Sequence, residues 1–282
     1  MANNNPKRIG VVSMVRNDSF FITKWIDYYS QQVGQENLFL VLDGLDQELP
    51  RGYGHINVIR LPQRALNRTR GDRNRARLIS YFARLLFHRY DIVIAHDIDE
   101  YLVIDPDCRQ SFADFFQKPI KSASLSALGL DVGQHLKLEL PIDPARPFLE
   151  QRSYAHVSAR YTKAVVATRP LTWGSGFHRV KGRNFHIDPN LYLFHFGMVD
   201  YDLSRAKIGD KSLMEAGWQG HLGRRYELFE LITNNPIIDN GNFLKQARRR
   251  QGLFRPLYAI NKPGMLKEKP VIRIPERFRN IV

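Results

Sequence analysis

An α/β fold, built on a mixed and mostly parallel sheet flanked by helices, is what this sequence predicts, and three observations carry the prediction. Short apolar, β-branched runs alternate with longer segments of helical spacing through the first hundred residues. The strand candidates read apolar throughout, which suits a sheet covered on both faces. Acidic residues gather where those strands end, at Asp43 and again at Asp97, Asp99 and Glu100, and open α/β sheets hold ligands beyond the carboxyl ends of their strands.

The elements follow in order. "RIGVVSMV" (8–15) is the first strand. Asn17 and Asp18 are both good N-caps, and "SFFITKWIDYYSQQVG" then sets Phe21, Ile22, Trp25, Ile26 and Tyr29 at helical spacing before Gly34 closes the helix. A second strand, "NLFLVLDG", ends in Asp43, and a third, "HINVIRLP", stops before Pro62. In "RTRGDRNRARLISYFARLLFHRY" the residues Leu78, Ile79, Phe82, Leu85 and Leu86 form one apolar helix face. A fourth strand at 91–95 delivers the acidic cluster, completing β-α-β-β-α-β. Past residue 200, helical patterns at "DLSRAKIGDKSLMEAG" and "RRYELFELITN" precede the basic "KQARRRQGLFRPLY". No repeat or low-complexity linker interrupts the chain, so a main domain over 1–215 is expected, with a helical and basic extension over 216–282 packed on it.

Composition narrows the function classes. With 43% hydrophobic and 25% charged residues, the 282-residue chain has neither a disordered nor a collagen-like composition. The lone Cys108 has no internal disulfide partner, no apolar run approaches the length of a spanning helix, and "MANNNPKR" lacks the apolar core of a signal peptide, so a cytoplasmic location is expected. The net charge of +14 implies a polyanionic partner: nucleic acid, an anionic membrane face or a phosphorylated small molecule. A non-enzymatic nucleic-acid binder explains the charge but leaves the acidic cluster unexplained.

The acidic cluster is chemically specific when paired with its neighbours. Asp97 and Asp99 fall on the same side if the extended conformation persists, and converging carboxylates need a cation to neutralise them. Oxygen ligands favour Mg²⁺ or Mn²⁺; a solvated acidic turn is the alternative. Arg68, Arg70, Arg73, Arg75 and Arg77 crowd a helix start next to Gly71 and Asp72, where the macrodipole favours anions and backbone N–H groups suit phosphate. For the arginines alone, a solvated basic face is an equal alternative. Basic cradle and acidic site together suit a metal-bridged diphosphate. His178, in a glycine-rich loop, contacts phosphate or acceptor, or orders the loop. Lys163 reaches a phosphate or snorkels from its strand, and His195 sits inside the apolar run "LYLFHFGM", where a hydrogen-bonded core histidine is the default.

These segments carry a resemblance. "SMVRNDSFFITKWIDYY", "LVLDG", "GDRNRARLIS", "HDIDEYLVI", "LSALGLDVGQH", "YTKAVV", "GSGFHRV" and "LYLFHFGMVDYDLSRAK" resemble, in order from about residue 8 to residue 215, the landmarks of family-2-like glycosyltransferases of the Rossmann-like GT-A fold, in the subgroup related to family-92 galactosyltransferases. The resemblance implies that Asp99 binds a divalent metal and Asp97 contacts ribose or metal, with His195 completing the site. It implies that Val15, Arg16 and Asn17 hold the nucleotide base, Asp43 the nucleoside, and Asp72 and Arg75, with Arg70 beside them, the nucleotide and diphosphate. The function implied is a metal-dependent, inverting glycosyltransferase of polysaccharide biosynthesis, moving sugar from a nucleotide-diphosphate donor, UDP-linked by expectation, to a hydroxyl of a glycan or lipid-linked glycan. Asp131, after an apolar strand, is the candidate base for the acceptor hydroxyl, a turn-forming Asp before Gly133 being its alternative. The basic segment with Leu253, Phe254 and Tyr258 is expected either to touch an anionic membrane face or to be solvated. A nucleotidyltransferase, releasing pyrophosphate, is the enzymatic alternative.

Overall fold

The computed structural model describes residues 6–64, 66–183, 185–208, 219–255, 261–266 and 268–282. The first hundred residues form β1 (Ile9–Val15), α1 (Ser19–Val33), β2 (Leu38–Asp43), β3 (Asn57–Leu61), α2 (Arg68–Leu86) and β4 (Ile92–Ala95), the predicted order. These four strands pair in parallel, in the spatial order β3-β2-β1-β4. Their carboxyl ends therefore lie along one edge, which carries Val15, Asp43 and the segment after Ala95.

Both faces of this block are covered, as the unbroken apolar strands required. Val11 and Val15 pack with Trp25, Ile26 and Tyr29 of α1, while Val12 and Met14 pack with Ile79 and Ala83 of α2. Asp18 caps α1 by accepting the Phe21 N–H at 3.3 Å, and Gly34 ends it at φ 86°. The apolar face of α2 is the expected one at Ile79 and Leu86, which are buried, and at Leu78 and Phe82, which pack against the core, and it departs at Leu85. Leu85 is 61% exposed, whereas Ala76, Ile79, Ser80, Ala83 and Leu86 are buried. The small residues matter because they let the chain around Trp173 approach: the Trp173 N–H donates to Ser80 Oγ at 2.9 Å, and that hydroxyl donates to the Ala76 carbonyl at 2.6 Å.

The rest of the sheet is largely antiparallel. It comprises β5 (Glu100–Ile104), β6 (Ser124–Gly133), β7 (Tyr154–Val157), β8 (Lys163–Ala167), β9 (Ile187–Met198), β10 (Ile237–Ile238) and β11 (Val271–Arg273). Strand β8 joins β4 to β6, antiparallel to both. The distal half of β6 then runs between β7 and β9, and β9 carries β5 on its other edge. Between them lie α3 (Phe112–Gln117), α4 (Phe148–Gln151), α5 (Tyr201–Ile208), α6 (Gln219–Asn234) and α7 (Phe243–Leu253).

The segment expected as a helical extension contributes strands as well as helices, since β10 and β11 extend the sheet beyond β7. Phe278 also stacks edgewise on Tyr192 and Phe194 of β9. Part of the helical pattern at 202–217, and Tyr258 of the basic segment, lie outside the described residues. A buried ion pair fixes the exit of β9: Arg152, 1% exposed, meets Asp200 at 3.3 Å and donates to the Val199 and Leu140 carbonyls. Asp200 also accepts the Leu203 N–H and so caps the start of α5. Among the described residues no helix is long and apolar enough to cross a membrane.

His96, directly after β4, is clamped in the core under α1. Its ring stacks on Tyr29 at 5.0 Å, its Nδ1–H donates to the Asp97 carbonyl at 2.8 Å, and its own carbonyl accepts from Ser13 Oγ. Burial lowers its pKa to about 4. A base with a depressed folded pKa lends stability that is complete above its unfolded pKa of about 6.5 and drains away as pH falls toward the folded value. In urea titrations, the stability advantage of wild type over His96→Asn, whose amide retains a donor near Nδ1, should shrink by about 3 kcal/mol between pH 7 and pH 4. Parallel pH profiles for the two proteins would show that His96 titrates normally.

Candidate functional site

The chain after β4 does not stay extended. Residues 98 and 99 form a turn, closed by the Glu100 N–H donating to the Asp97 carbonyl at 3.1 Å. Alternation therefore does not bring the carboxylates together; the turn does, and β9 clamps it through a bond from the Phe196 N–H to the Asp99 carbonyl at 2.9 Å. Strand register supplies the remaining groups. Glu100 on β5 pairs across from His195 on β9, which pairs across from Asp131 on β6, and directly opposed residues project to the same face.

Lys163, the first residue of β8, lies at the centre. It is 2% exposed, and its Nζ lies 2.9 Å from Asp97 Oδ2 and 2.5 Å from Glu100 Oε1. Gly129 of β6 permits this position, because a Cβ there would collide with the backbone of Tyr161 and Thr162, just before the lysine. Burial disfavours the Lys163 charge, yet Asp97 and Glu100 outweigh it and raise its pKa. Asp97 is likewise desolvated, but Arg75 and Lys163 hold it well below the usual carboxylate range. Glu100, fully buried, is pushed up chiefly by desolvation.

The start of α2 approaches from one side. Asn67 caps the helix by accepting the Arg70 N–H. Arg75 Nη2 sits 3.0 Å from Asp97 Oδ1 and 3.5 Å from Asp72, which Arg68 also approaches at 3.8 Å. Asp72 and Asp97 thus supply negative charge beside the arginines at this helix start, where the macrodipole favours anions. Arg75 is accordingly part of an internal ion-pair chain, and its removal is expected to cost stability, whereas helix propensity and dipole alone would leave stability unchanged. The side chain of Arg70 is exposed, away from this chain of contacts.

On the other side, His195 is 2% exposed and is held by four groups. Its Nδ1 lies 2.6 Å from Asp131 Oδ1, its Nε2 lies 3.3 Å from Asp99 Oδ2, Arg225 Nη2 approaches Nε2 at 2.6 Å, and Tyr161 stacks on the ring at 3.8 Å. Burial lowers the pKa of His195 while Asp99 and Asp131 raise it, and the guanidinium of Arg225 at Nε2 favours the neutral ring, whose Nε2 can accept its hydrogen bond. His178 lies within electrostatic reach of Lys163 and Asp97; burial first, then Lys163, lowers its pKa to about 3, and its Nδ1 is buried without a hydrogen-bond partner.

The nucleoside-side candidates form an adjoining group. Val15 ends β1, and Asn17 takes the left-handed conformation at φ 49° while its N–H donates to Gln47. Arg16 forks onto Asp46 at 2.5 and 2.9 Å and donates to the Asp43 carbonyl. Burial raises the pKa of Asp43, with Arg16 and Arg75 opposing, so Asp43 links the two groups electrostatically. A cavity lined by Phe115, Lys121, Leu125, His186 and Asp188 among others opens at the start of β6, the opposite end from Asp131.

The expected metal ligands do not fit a preformed ion site. Among the described residues no group of three or more His, Cys, Asp or Glu side chains is arranged to hold a metal. Asp97 is engaged by Lys163 and Arg75, and Arg225 stands beside both Asp99 and His195. Sequence reasoning missed Arg225, Tyr161 and the buried role of Glu100. The arginine pair that opens "RRYELFELITN" is a basic signal in the sequence, but the helix begins at Gln219, so Arg225 lies in its second turn rather than at a helix start.

No protein-family model matches the chain, and no curated protein matches it. Among solved structures it is similar to the mannosyltransferase PcManGT from Pyrobaculum calidifontis, in complex with GDP-Man and Mn²⁺, at 11% identity and a TM-score of 0.37, over 80% of this chain and 73% of that one.

Removing the central cation should expose the tension that it relieves. Lys163→Met is expected to lower unfolding free energy by about 3–5 kcal/mol, the cost of leaving a buried charge uncompensated. Adding Glu100→Gln to it should recover part of that loss, because the orphaned carboxylate disappears. Urea denaturation of the two single variants and the double variant measures this; simple additivity of the two losses would mean that Lys163 and Glu100 are not coupled.

Proposed function

We propose that this chain is a glycosyltransferase that moves a sugar from a nucleotide-diphosphate donor to a hydroxyl of a glycan or lipid-linked glycan. One observation carries the reading: the Asp97–Asp99 turn at the carboxyl ends of parallel strands faces an arginine-rich helix start, with Asp43 and Asn17 on the strand ends beside it. Nucleoside hydroxyls suit the carboxylates, and the diphosphate suits the arginines.

In the reaction the acceptor oxygen bonds to the anomeric carbon, and the bond from that carbon to the β-phosphate oxygen breaks, its electron pair leaving on the diphosphate. The hydroxyl proton passes to a base. Asp131 is our candidate, with 13% of its side chain exposed and Oδ1 oriented by His195. Inversion at the anomeric carbon follows from a single displacement of this kind. UDP is the nucleotide we propose, and polysaccharide assembly at the cytoplasmic face of a membrane the setting. Exposed Leu253 and Phe254, with exposed Lys245, Arg249 and Arg250 on α7, support peripheral contact with anionic lipid there.

Thermal melts with UDP-glucose, UDP-galactose, UDP-N-acetylglucosamine and GDP-mannose test the reading, because a ligand bound only by the folded state raises the melting temperature. One donor is expected to stabilise the protein and, on prolonged incubation, to be hydrolysed slowly to free sugar and nucleoside diphosphate. Release of pyrophosphate from a nucleoside triphosphate and a sugar phosphate would point to nucleotidyl transfer instead, and stabilisation by none of these ligands would overturn the proposal.

A further inference from the structure

Asp99 and His195 point at one spot, and a cation already stands there. Their Oδ2 and Nε2 atoms are 3.3 Å apart, and Arg225 Nη2 lies 3.3 Å from the first and 2.6 Å from the second. A carboxylate oxygen and an imidazole nitrogen facing each other in this way are a donor pair that divalent cations use. With its Nδ1 proton directed to Asp131, His195 presents Nε2 as an acceptor to the guanidinium. Gly197 makes the room: a Cβ there would run into Arg225 Nη2 and stand 2.7 Å from Asp99 Oδ2. The guanidinium enters this notch because residue 197 has no side chain.

Two further features point from the notch toward an anion. The Nε atoms of Arg225 and Arg75 are buried and lack hydrogen-bond partners, although 18% of the Arg225 side chain and 29% of the Arg75 side chain remain exposed. Buried donors are normally satisfied, so two unsatisfied guanidinium N–H groups on either side of one carboxylate turn suit a ligand with several acceptor oxygens. Three fixed cations, Lys163, Arg75 and Arg225, already surround the turn, so a divalent ion entering there would meet repulsion rather than a free carboxylate pair.

We propose that Arg225 takes the place of the divalent cation and, with Arg75, holds the donor's diphosphate without a metal. This rests on the glycosyltransferase reading above and replaces its expected Mn²⁺ or Mg²⁺ with fixed side-chain charge. A guanidinium is permanently charged and chelators do not remove it, so nucleotide binding keeps a salt dependence and loses a metal dependence.

Calorimetric titration of the full chain with UDP and with GDP, once in EDTA and once in Mn²⁺, tests the inference. Equal affinity in the two buffers is expected for the nucleotide that binds. Arg225→Gln should weaken that binding about 10- to 100-fold, the scale of one lost charge-assisted hydrogen bond, and Arg225→Lys should weaken it less. Circular dichroism and a melting curve establish that each variant is folded. Binding seen only with Mn²⁺, or undiminished in folded Arg225→Gln, overturns the inference and leaves the glycosyltransferase reading standing. Binding of neither nucleotide in either buffer overturns both. The comparison of the two buffers uses the wild-type protein alone, so it decides the metal question even if Arg225→Gln does not fold.

Discussion

The ammonium of Lys163, closed off from solvent between Asp97 and Glu100, is the contact on which the rest of the site depends. Isolated, each of these three charges is too costly to bury; together, with Arg75 on the far oxygen of Asp97, they neutralise one another. The arrangement ties β8 to the turn between β4 and β5 and to the start of α2. Three stretches of the chain are thus fixed relative to one another by two cations, Lys163 and Arg75, that share Asp97. Replacing the group with apolar residues would serve stability equally well or better, so the retention of charge here fits a role in ligand binding.

A second layer of positioning comes from the sheet. Glu100, His195 and Asp131 sit opposite one another across β5, β9 and β6, so a one-residue shift of register would turn one of them to the wrong face. One of the two irregularities in the β6–β9 pairing falls at this point, between Asp131 and Gly133, the other lying between Ser126 and Leu128. Glycines serve the same end: Gly129 lets the Lys163 strand approach and Gly197 leaves space for Arg225. Rigid backbone, not loop, therefore holds His195, Asp131 and Glu100, the arrangement that preorganisation requires.

Much of this was legible in the sequence because it is local. The β-α-β-β-α-β order, the Asp18 cap, the Gly34 stop and the core face of α1 all follow from spacing within a few residues. The meeting of Asp97 with Arg75, and of His195 with Asp99 and Asp131, agrees with the order of the motifs. What escaped depends on long-range packing. Period-2 alternation mispredicted how Asp97 and Asp99 converge, since a turn intervenes. On α2 the large apolar residues gave the core face except at Leu85, which stays exposed, and they did not reveal that small Ala76 and Ser80 let the chain at Trp173 close in. Arg225, 126 residues from Asp99, carries no local signal of its partner.

The state of the Lys163 amine tests the account most directly. Following its side-chain carbon resonance by NMR against pH, in the full-length protein, reports whether the ammonium persists. Lys163 is expected to stay protonated well beyond the pH of about 10.4 at which free lysine titrates, because two carboxylates outweigh its burial. A Lys163 that deprotonates at or below that pH would mean that desolvation prevails, and that the buried charge network is not what holds the site together.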